Sequence, residues 1–403
     1  MKKRSVIIII VFVVALTGFF TWRFIRPMEI FVVDDRFAYP VDTSEVPPVL
    51  GDLSAETCGS CHTEFYKEWR TTIHSKAFTD PYFQADWKFE DKRDSCRLCH
   101  TPLDRQQPQT VLGYRDASKW DPVLKDNPNF DPKLQHEGVT CAACHYREGK
   151  IVGVLDNVNA PHPVKKLDNP NEVCVRCHVV NGSRWDTFYR FPPCGTVTEI
   201  QSNTGAVSRS GETMVKDIAS LGCVDCHMPA IKRPLVEGGV VRNARQHLWR
   251  GGHDPEMVKK AFTASLFEEK LKEKNQRKFT FKITNTGARH YLPTGTPDRY
   301  LSVNMRLLDS QGKVLKEQNH KLIRKMMWRP FIIDLSDTRL AYGKPREYSM
   351  EYSTGEFNNV AAIEVKVRYH LVNENRVKRI NYQSQEPIDY EVFSKRIDLS
   401  EAE

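Results

Sequence analysis

The sequence predicts a multidomain chain: an N-terminal transmembrane helix, a mainly α, loop-rich domain, and an antiparallel β-sandwich. Three observations carry this prediction. Residues 5–22 are almost unbroken apolar sequence, the pentapeptide Cys-x-x-Cys-His recurs five times between residues 58 and 227, and beyond residue 278 apolar and polar side chains alternate. The 403 residues allow two or three domains, and 40 % hydrophobic with 27 % charged residues excludes a polytopic membrane protein and a disordered chain.

The first element, residues 1–27, begins with the basic Met1-Lys-Lys-Arg4 and continues as the apolar run Ser5–Trp22. Eighteen residues span about 27 Å as a helix, close to a bilayer core of about 30 Å. No small-residue cleavage site follows, so the segment is expected to be an uncleaved signal-anchor rather than a removed signal peptide. The basic start favours the inside, which places the bulk of the chain on the periplasmic or extracytoplasmic side of the cytoplasmic membrane. Residues 28–56, with Pro40, Pro47 and Pro48, read as an extended tether.

Residues 57–255 hold every repeat: Cys58-x-x-Cys61-His62, Cys96-x-x-Cys99-His100, Cys141-x-x-Cys144-His145, Cys174-x-x-Cys177-His178 and Cys223-x-x-Cys226-His227. This is the attachment signal for c-type haem. Two thiols three positions apart on a helical turn reach the two vinyl groups on one porphyrin edge, and the next residue projects its imidazole over the ring to the iron. Five covalently bound haem c groups are therefore expected, with His62, His100, His145, His178 and His227 as proximal ligands. A zinc reading does not suit five pairs, each followed by a His. Cys194 is the eleventh cysteine and is expected to be an inert thiol. The proximal histidines follow one another at 38, 45, 33 and 49 residues, too irregular for a solenoid. A compact domain of this size has a radius of gyration of about 15 Å, so five macrocycles within it must lie nearly edge to edge.

Each iron has a second axial position. Five further histidines fall in this region, matching the haem count: His74, His136, His162, His247 and His253. These are the expected distal ligands. His290, in Ala-Arg-His-Tyr-Leu-Pro, is an outside candidate, while His320 and His370 read as surface residues. Met214 and Met228 flank the fifth motif, but Met228 directly follows a proximal ligand and cannot reach the opposite face. The aromatics near the first two motifs, among them Phe65, Tyr66, Trp69 and Phe83, are expected against porphyrin faces.

Residues 256–275 read as an amphipathic connecting helix through Met257, Ala261, Phe262, Leu266 and Leu271. Residues 276–403 form the β-sandwich, with strand patterns at 279–284, 300–307 and 363–369 and no cysteine.

The runs Cys58-x-x-Cys-His-x₃-Tyr66-x₂-Trp69-x₄-His74, Glu137-Gly-Val-Thr-Cys-x-x-Cys-His145 and Cys223-x-x-Cys-His-Met-Pro229 resemble the cytochrome c554/c-prime multihaem family over about residues 57–255. The resemblance implies periplasmic electron transfer through closely packed, largely bis-His haems, and it supports His74 and His136 as distal ligands. The family's type member has four haems; this chain has five motifs, an anchor and a β domain.

Three functions compete. The first is a membrane-anchored electron carrier that exchanges electrons with redox partner proteins, with no catalytic residue of its own. The second is a multihaem oxidoreductase acting on a small nitrogen or sulfur compound at one open haem. Against it, pentahaem nitrite reductases often carry Lys in place of one motif His, and all five motifs here end in His. The third is a quinol dehydrogenase. The formal charge of +8 shows no clustering beyond Lys2–Arg4 and gives no case for nucleic acid. Each haem adds about −1 ferric or −2 ferrous, so the excess Lys and Arg reads as counter-charge for propionates.

Overall fold

The computed structural model describes residues 3–25, 38–117, 119–155, 159–178, 195–203, 222–273 and 275–399. Cys194 and Met214 lie outside them.

The helix Lys3–Ile25 has 23 residues, about 35 Å, and is long and apolar enough to cross a membrane. Of the stretch expected to be an extended tether, residues 38–53 instead pack onto the next domain. Val41, Leu50 and Leu53 join Leu103, Leu134 and Tyr146 in one buried cluster, and the Val41 amide donates to the Pro102 carbonyl at 2.8 Å. The apolar side chains scattered among the prolines explain this: each removes surface from water at about 25 cal/mol per Å².

Short helices dominate the haem-motif region. Four motifs end theirs: Asp94–His100, Cys141–His145, Glu172–His178 and Cys223–His227. The first lies at the end of Ala55–Gly59, and its turn continues through the bond from the His62 amide to the Cys58 carbonyl at 2.9 Å. The helices Pro81–Phe89, Pro132–His136 and Pro255–Lys260 share one start signal. In each an Asp side chain (Asp80, Asp131, Asp254) accepts from backbone amides of the first turn, and a Pro fills the first helical position, where no donor is needed.

Small sheets punctuate this region, which the sequence reading as helices and loops did not anticipate. Strands β1 (Gln109–Tyr114) and β2 (Pro122–Asp126) form a hairpin; β3 (Tyr146–Arg147), β4 (Lys150–Gly153) and β5 (Val164–Lys166) form a second sheet; β6 (Ala230–Pro234) and β7 (Val241–Arg245) form another hairpin.

The connecting helix expected over 256–275 is confined to Pro255–Lys260. From Phe262 the chain is strand β8 (Phe262–Glu269). Phe262, Ala264 and Leu266 satisfy a two-residue period as well as a helical one, and pairing with the neighbouring strand decides for the strand. That neighbour is β9 (Gln276–Asn285). There follow β10 (Tyr300–Leu308), β11 (Val314–Met327), β12 (Ile333–Asp337), β13 (Pro345–Ser353), β14 (Ala362–His370) and β15 (Asp389–Asp398). They make two antiparallel sheets, in the orders β12-β11-β10-β14-β15 and β13-β9-β8. The alternation has a direct cause. Leu301, Val303, Met305 and Leu307 of β10 point inward with Ile363, Val365 and Val367 of β14, and meet Phe279, Phe281 and Ile283 of β9 in a shared core.

The two halves are joined closely. Val258 and Ala261 belong to the β core. The Arg376 guanidinium bonds Asp86 and Glu90 on the helix Pro81–Phe89, and the Tyr390 hydroxyl donates to the Gly252 carbonyl at 2.5 Å.

Candidate functional site

The site is one connected cavity of about 3110 Å³, several times the roughly 300–1,000 Å³ of a pocket for a single small ligand. All ten motif cysteines and all five motif histidines line it. Among the described residues no disulfide joins these cysteines.

The motif imidazoles are aimed by their own backbone surroundings. The Nδ1 atoms of His62, His100, His145 and His227 lie against the carbonyls of Leu235, Ala77, Val152 and Arg250 at 2.8, 2.5, 2.8 and 2.6 Å. A carbonyl can only accept, so each Nδ1 carries the proton and each Nε2 keeps a lone pair for a metal. The four contacts come from four different segments, which is why short sheets and loops surround the motifs.

A second imidazole faces four of these rings. Two histidines on opposite faces of one iron, with metal–nitrogen bonds of about 2 Å, hold their ring centres about 6.3 Å apart. His62 and His162 are 6.4 Å apart, His145 and His247 5.9 Å, His178 and His74 6.4 Å, and His227 and His290 6.4 Å. The Nδ1 of His162 is buried without a partner, an orphan that a loaded site would explain. Burial, with the neighbouring His178, His227 and His100 imidazoles, lowers the His74 pKa to about 3. Burial, then His145, brings His247 to about 4. Both rings are neutral at pH 7, the form that binds iron.

His100 differs. Its ring stacks face to face on Phe83 at 3.7 Å, and among the described residues no imidazole lies at the bis-His separation. His253 lines the cavity, with burial and then Arg299 bringing its pKa to about 4. His136 is exposed and does not line the cavity. Its Nδ1 is held by the Pro132 carbonyl at 2.6 Å, and its ring meets the edge of Phe78. The structure thus brings together His74, His162, His247 and the outside candidate His290, and sets His136 apart. His370, expected at the surface, is 8 % exposed, stacked on Tyr300 and bonded to Ser302.

Trp69 and the run Glu137-Gly-Val-Thr stood out in the sequence, but the way they hold His74, and the roles of Glu68 and Glu199, were not read from it. Val139 donates its amide to the His74 carbonyl at 3.0 Å, and the Trp69 indole donates to the Val139 carbonyl at 2.8 Å. Gly138 has φ +63°, and a Cβ there would lie 2.8 Å from the His74 carbonyl oxygen, so the run Glu137-Gly-Val-Thr is shaped to hold His74. Glu137 accepts from the Ala55 amide at 2.8 Å and ties in the first motif. Glu68 accepts two bonds of 2.7 Å from Arg233 and one of 2.7 Å from the His247 amide. Glu199, 1 % exposed, accepts from Arg339 at 2.6 Å, Thr294 at 2.6 Å and the Tyr291 amide at 3.1 Å, and so fixes the loop that carries His290. Glu199 gave one signal in sequence, an acid flanked by Thr and Ile, and that was too weak to find it.

The motifs also contact one another. Cys58 of the first meets Cys141 of the third, Cys174 of the fourth meets Cys223 of the fifth, and Cys99 of the second donates to the Cys177 carbonyl of the fourth at 3.9 Å.

Residues 173–251 match the family model for cytochrome c554 and c-prime. Among solved structures, the penta-haem cytochrome c552 from Thermochromatium tepidum superposes with a TM-score of 0.63 at 19 % identity, covering 86 % of this chain and 98 % of that one, which shows a shared fold. A β-glucuronidase from Bacteroides uniformis matches 27 % of this chain and 11 % of that one at 11 % identity and a TM-score of 0.14. A sporulation control protein from Bacillus subtilis matches 34 % of this chain and 48 % of that one at 10 % and 0.13. Neither of these last two bears on function. No curated protein sequence matches the chain.

Proposed function

We propose that the chain is a membrane-anchored, extracytoplasmic pentahaem c-type cytochrome that transfers electrons between redox partner proteins. One observation carries this reading: five attachment motifs line one cavity, and four of their five imidazoles face a second imidazole at 5.9–6.4 Å. Bound haem supplies a reversible one-electron iron centre whose potential its axial ligands and surroundings tune.

The chain's own residues do the rest. Cys58, Cys61, Cys96, Cys99, Cys141, Cys144, Cys174, Cys177, Cys223 and Cys226 fix five porphyrin edges. His62 with His162, His145 with His247, His178 with His74, and His227 with His290 would hold four irons from both sides, and so would exclude exogenous ligands there. The motif contacts order the sites in space, first beside third, fourth beside fifth and second beside fourth, so each has a near neighbour. Arg299, which lines the cavity, buries an Nε without a partner, which suits a counter-charge for a propionate. The helix Lys3–Ile25 anchors the assembly.

A second reading has one observation in its favour. Among the described residues no imidazole faces His100, so its iron would be the one open to a small nitrogen or sulfur ligand. EPR of the oxidised, fully loaded protein tests both. Five low-spin signals, with a haem-to-protein ratio of five by pyridine haemochrome, support the carrier. One high-spin signal that shifts on adding nitrite or hydroxylamine transfers the case to the oxidoreductase. High-spin iron at three or more sites would sink the bis-His assignment.

A further inference from the structure

The loop between β11 and β12, residues 328–332, does something that neither the haem cavity nor the β core requires. The run Lys325-Met-Met-Trp-Arg-Pro-Phe-Ile-Ile333 places large apolar and aromatic side chains beside cations at a hairpin tip. Only Ile332 is fully buried there, under Trp120, Met326 and Trp328. Phe331 reaches out and packs on the N-terminal helix, with ring centres 6.4 Å from Phe19 and 6.0 Å from Phe20. The Arg23 guanidinium lies 5.5 Å from the Phe331 ring and 5.5 Å from Trp22, and Arg329 lies 5.6 Å from Phe24.

Depth along the helix decides what this tip touches. Phe19 lies six residues before the helix end at Ile25, about 9 Å at 1.5 Å per residue. Phe19 and Phe20 also fall in the last turn of the apolar run Ser5–Trp22, so the tip meets the helix at the outer edge of the hydrocarbon core, beside the interface where Trp and Tyr gather and Lys and Arg reach outward. Phe331, Trp328 and Arg329 match that chemistry on a segment far from the helix in sequence.

We propose that the β11–β12 hairpin tip is a second, monotopic membrane contact that inserts Phe331 and Trp328 into the phospholipid interface beside the anchor. This rests on reading Lys3–Ile25 as an uncleaved membrane span. The contact turns a single attachment into a two-point one. It also holds a defined edge of the molecule to the bilayer, because Trp120, which packs on Ile332, lines the haem cavity.

The test uses the full-length, haem-loaded chain in nanodiscs of phosphatidylethanolamine and phosphatidylglycerol. Phe331→p-benzoyl-Phe is compared with Gln311→p-benzoyl-Phe in the β10–β11 turn. β11 has 14 residues, so the two positions are about 45 Å apart. Irradiation should give a phospholipid adduct at 331 and none at 311. Cross-links from 331 only to residues 19–24, without lipid, would overturn the proposal and leave the anchor standing, as would no adduct in a chain that alkaline carbonate fails to release. Release by carbonate means the anchor reading itself has failed. A lipid adduct before that wash would then keep the hairpin contact, and none would remove it as well.

Discussion

Arg339 gives the sharpest test of how the fifth site is held. Its guanidinium donates to Glu199 at 2.6 Å, to the Pro293 carbonyl at 3.1 Å and to Asp337 at 2.8 Å, and the Arg339 and Glu199 side chains are 3 % and 1 % exposed. Arg339→Met leaves the buried Glu199 and the half-buried Asp337 without this cation. Removing one partner of a buried pair costs about 3–5 kcal/mol. Glu199→Gln is milder: Arg339 keeps Asp337, and the amide oxygen still accepts from Tyr291 and Thr294, so the loss is about 1–2 kcal/mol. The Tyr291 amide donates to Glu199 and adjoins His290, so its hydrogen exchange reads the opening of this loop directly. At about 1.4 kcal/mol per factor of ten, Arg339→Met should speed exchange roughly two to three and a half orders of magnitude, and Glu199→Gln about tenfold. EPR of the same Arg339→Met protein should show one additional high-spin haem. If Tyr291 is no less protected in Arg339→Met than in Glu199→Gln, the buried pair does not hold the His290 loop.

Three other outcomes are expected. His74→Ala, His162→Ala, His247→Ala and His290→Ala should each turn one low-spin haem high-spin by EPR, while His136→Ala should leave all signals in place. Gly138→Ala puts a Cβ at φ +63° and 2.8 Å from the His74 carbonyl oxygen, so chemical denaturation should show a loss of at least about 1–2 kcal/mol, with weakened ligation at His74 alone. Arg233→Ala removes two charged hydrogen bonds from Glu68, which also holds the His247 amide; a loss of about 1.5–3 kcal/mol in the same assay is expected, with the spin state at the third motif the most affected.

The parts of this molecule that covalent chemistry dictates were legible in its sequence. Two thiols and an imidazole must stand at fixed spacing to bind one porphyrin, so Cys58 through His227 could be read residue by residue. The β domain was legible because burying one face of a strand forces alternation, as in Leu301, Val303, Met305 and Leu307. Where two periods fit the same residues, the reading failed: Phe262, Ala264 and Leu266 suit a helix until β9 offers its edge. The distal set was legible only in part: His74, His162 and His247 face motif rings, while His136 does not. An imidazole needs only to arrive at the right point in space, and chain distance says little about that. His136, five residues before Cys141, turns to its own helix carbonyl, while His290, 63 residues past His227, comes back to face it. Two holders of those imidazoles, Glu68 and Glu199, carry no motif, because their partners Arg233, Arg339 and Thr294 lie far away in sequence.

The placement of His290 bears on the order of assembly. Its loop hangs from β9, in a core that also contains Leu399, near the end of the described chain. Thioether attachment at Cys223 and Cys226 needs only the local helix and can follow soon after that segment emerges. The second imidazole must wait until the last strand has paired. If the proposed function holds, the fifth site would carry only its motif imidazole until that pairing is complete. The spin state of that site would then report whether the β core had closed.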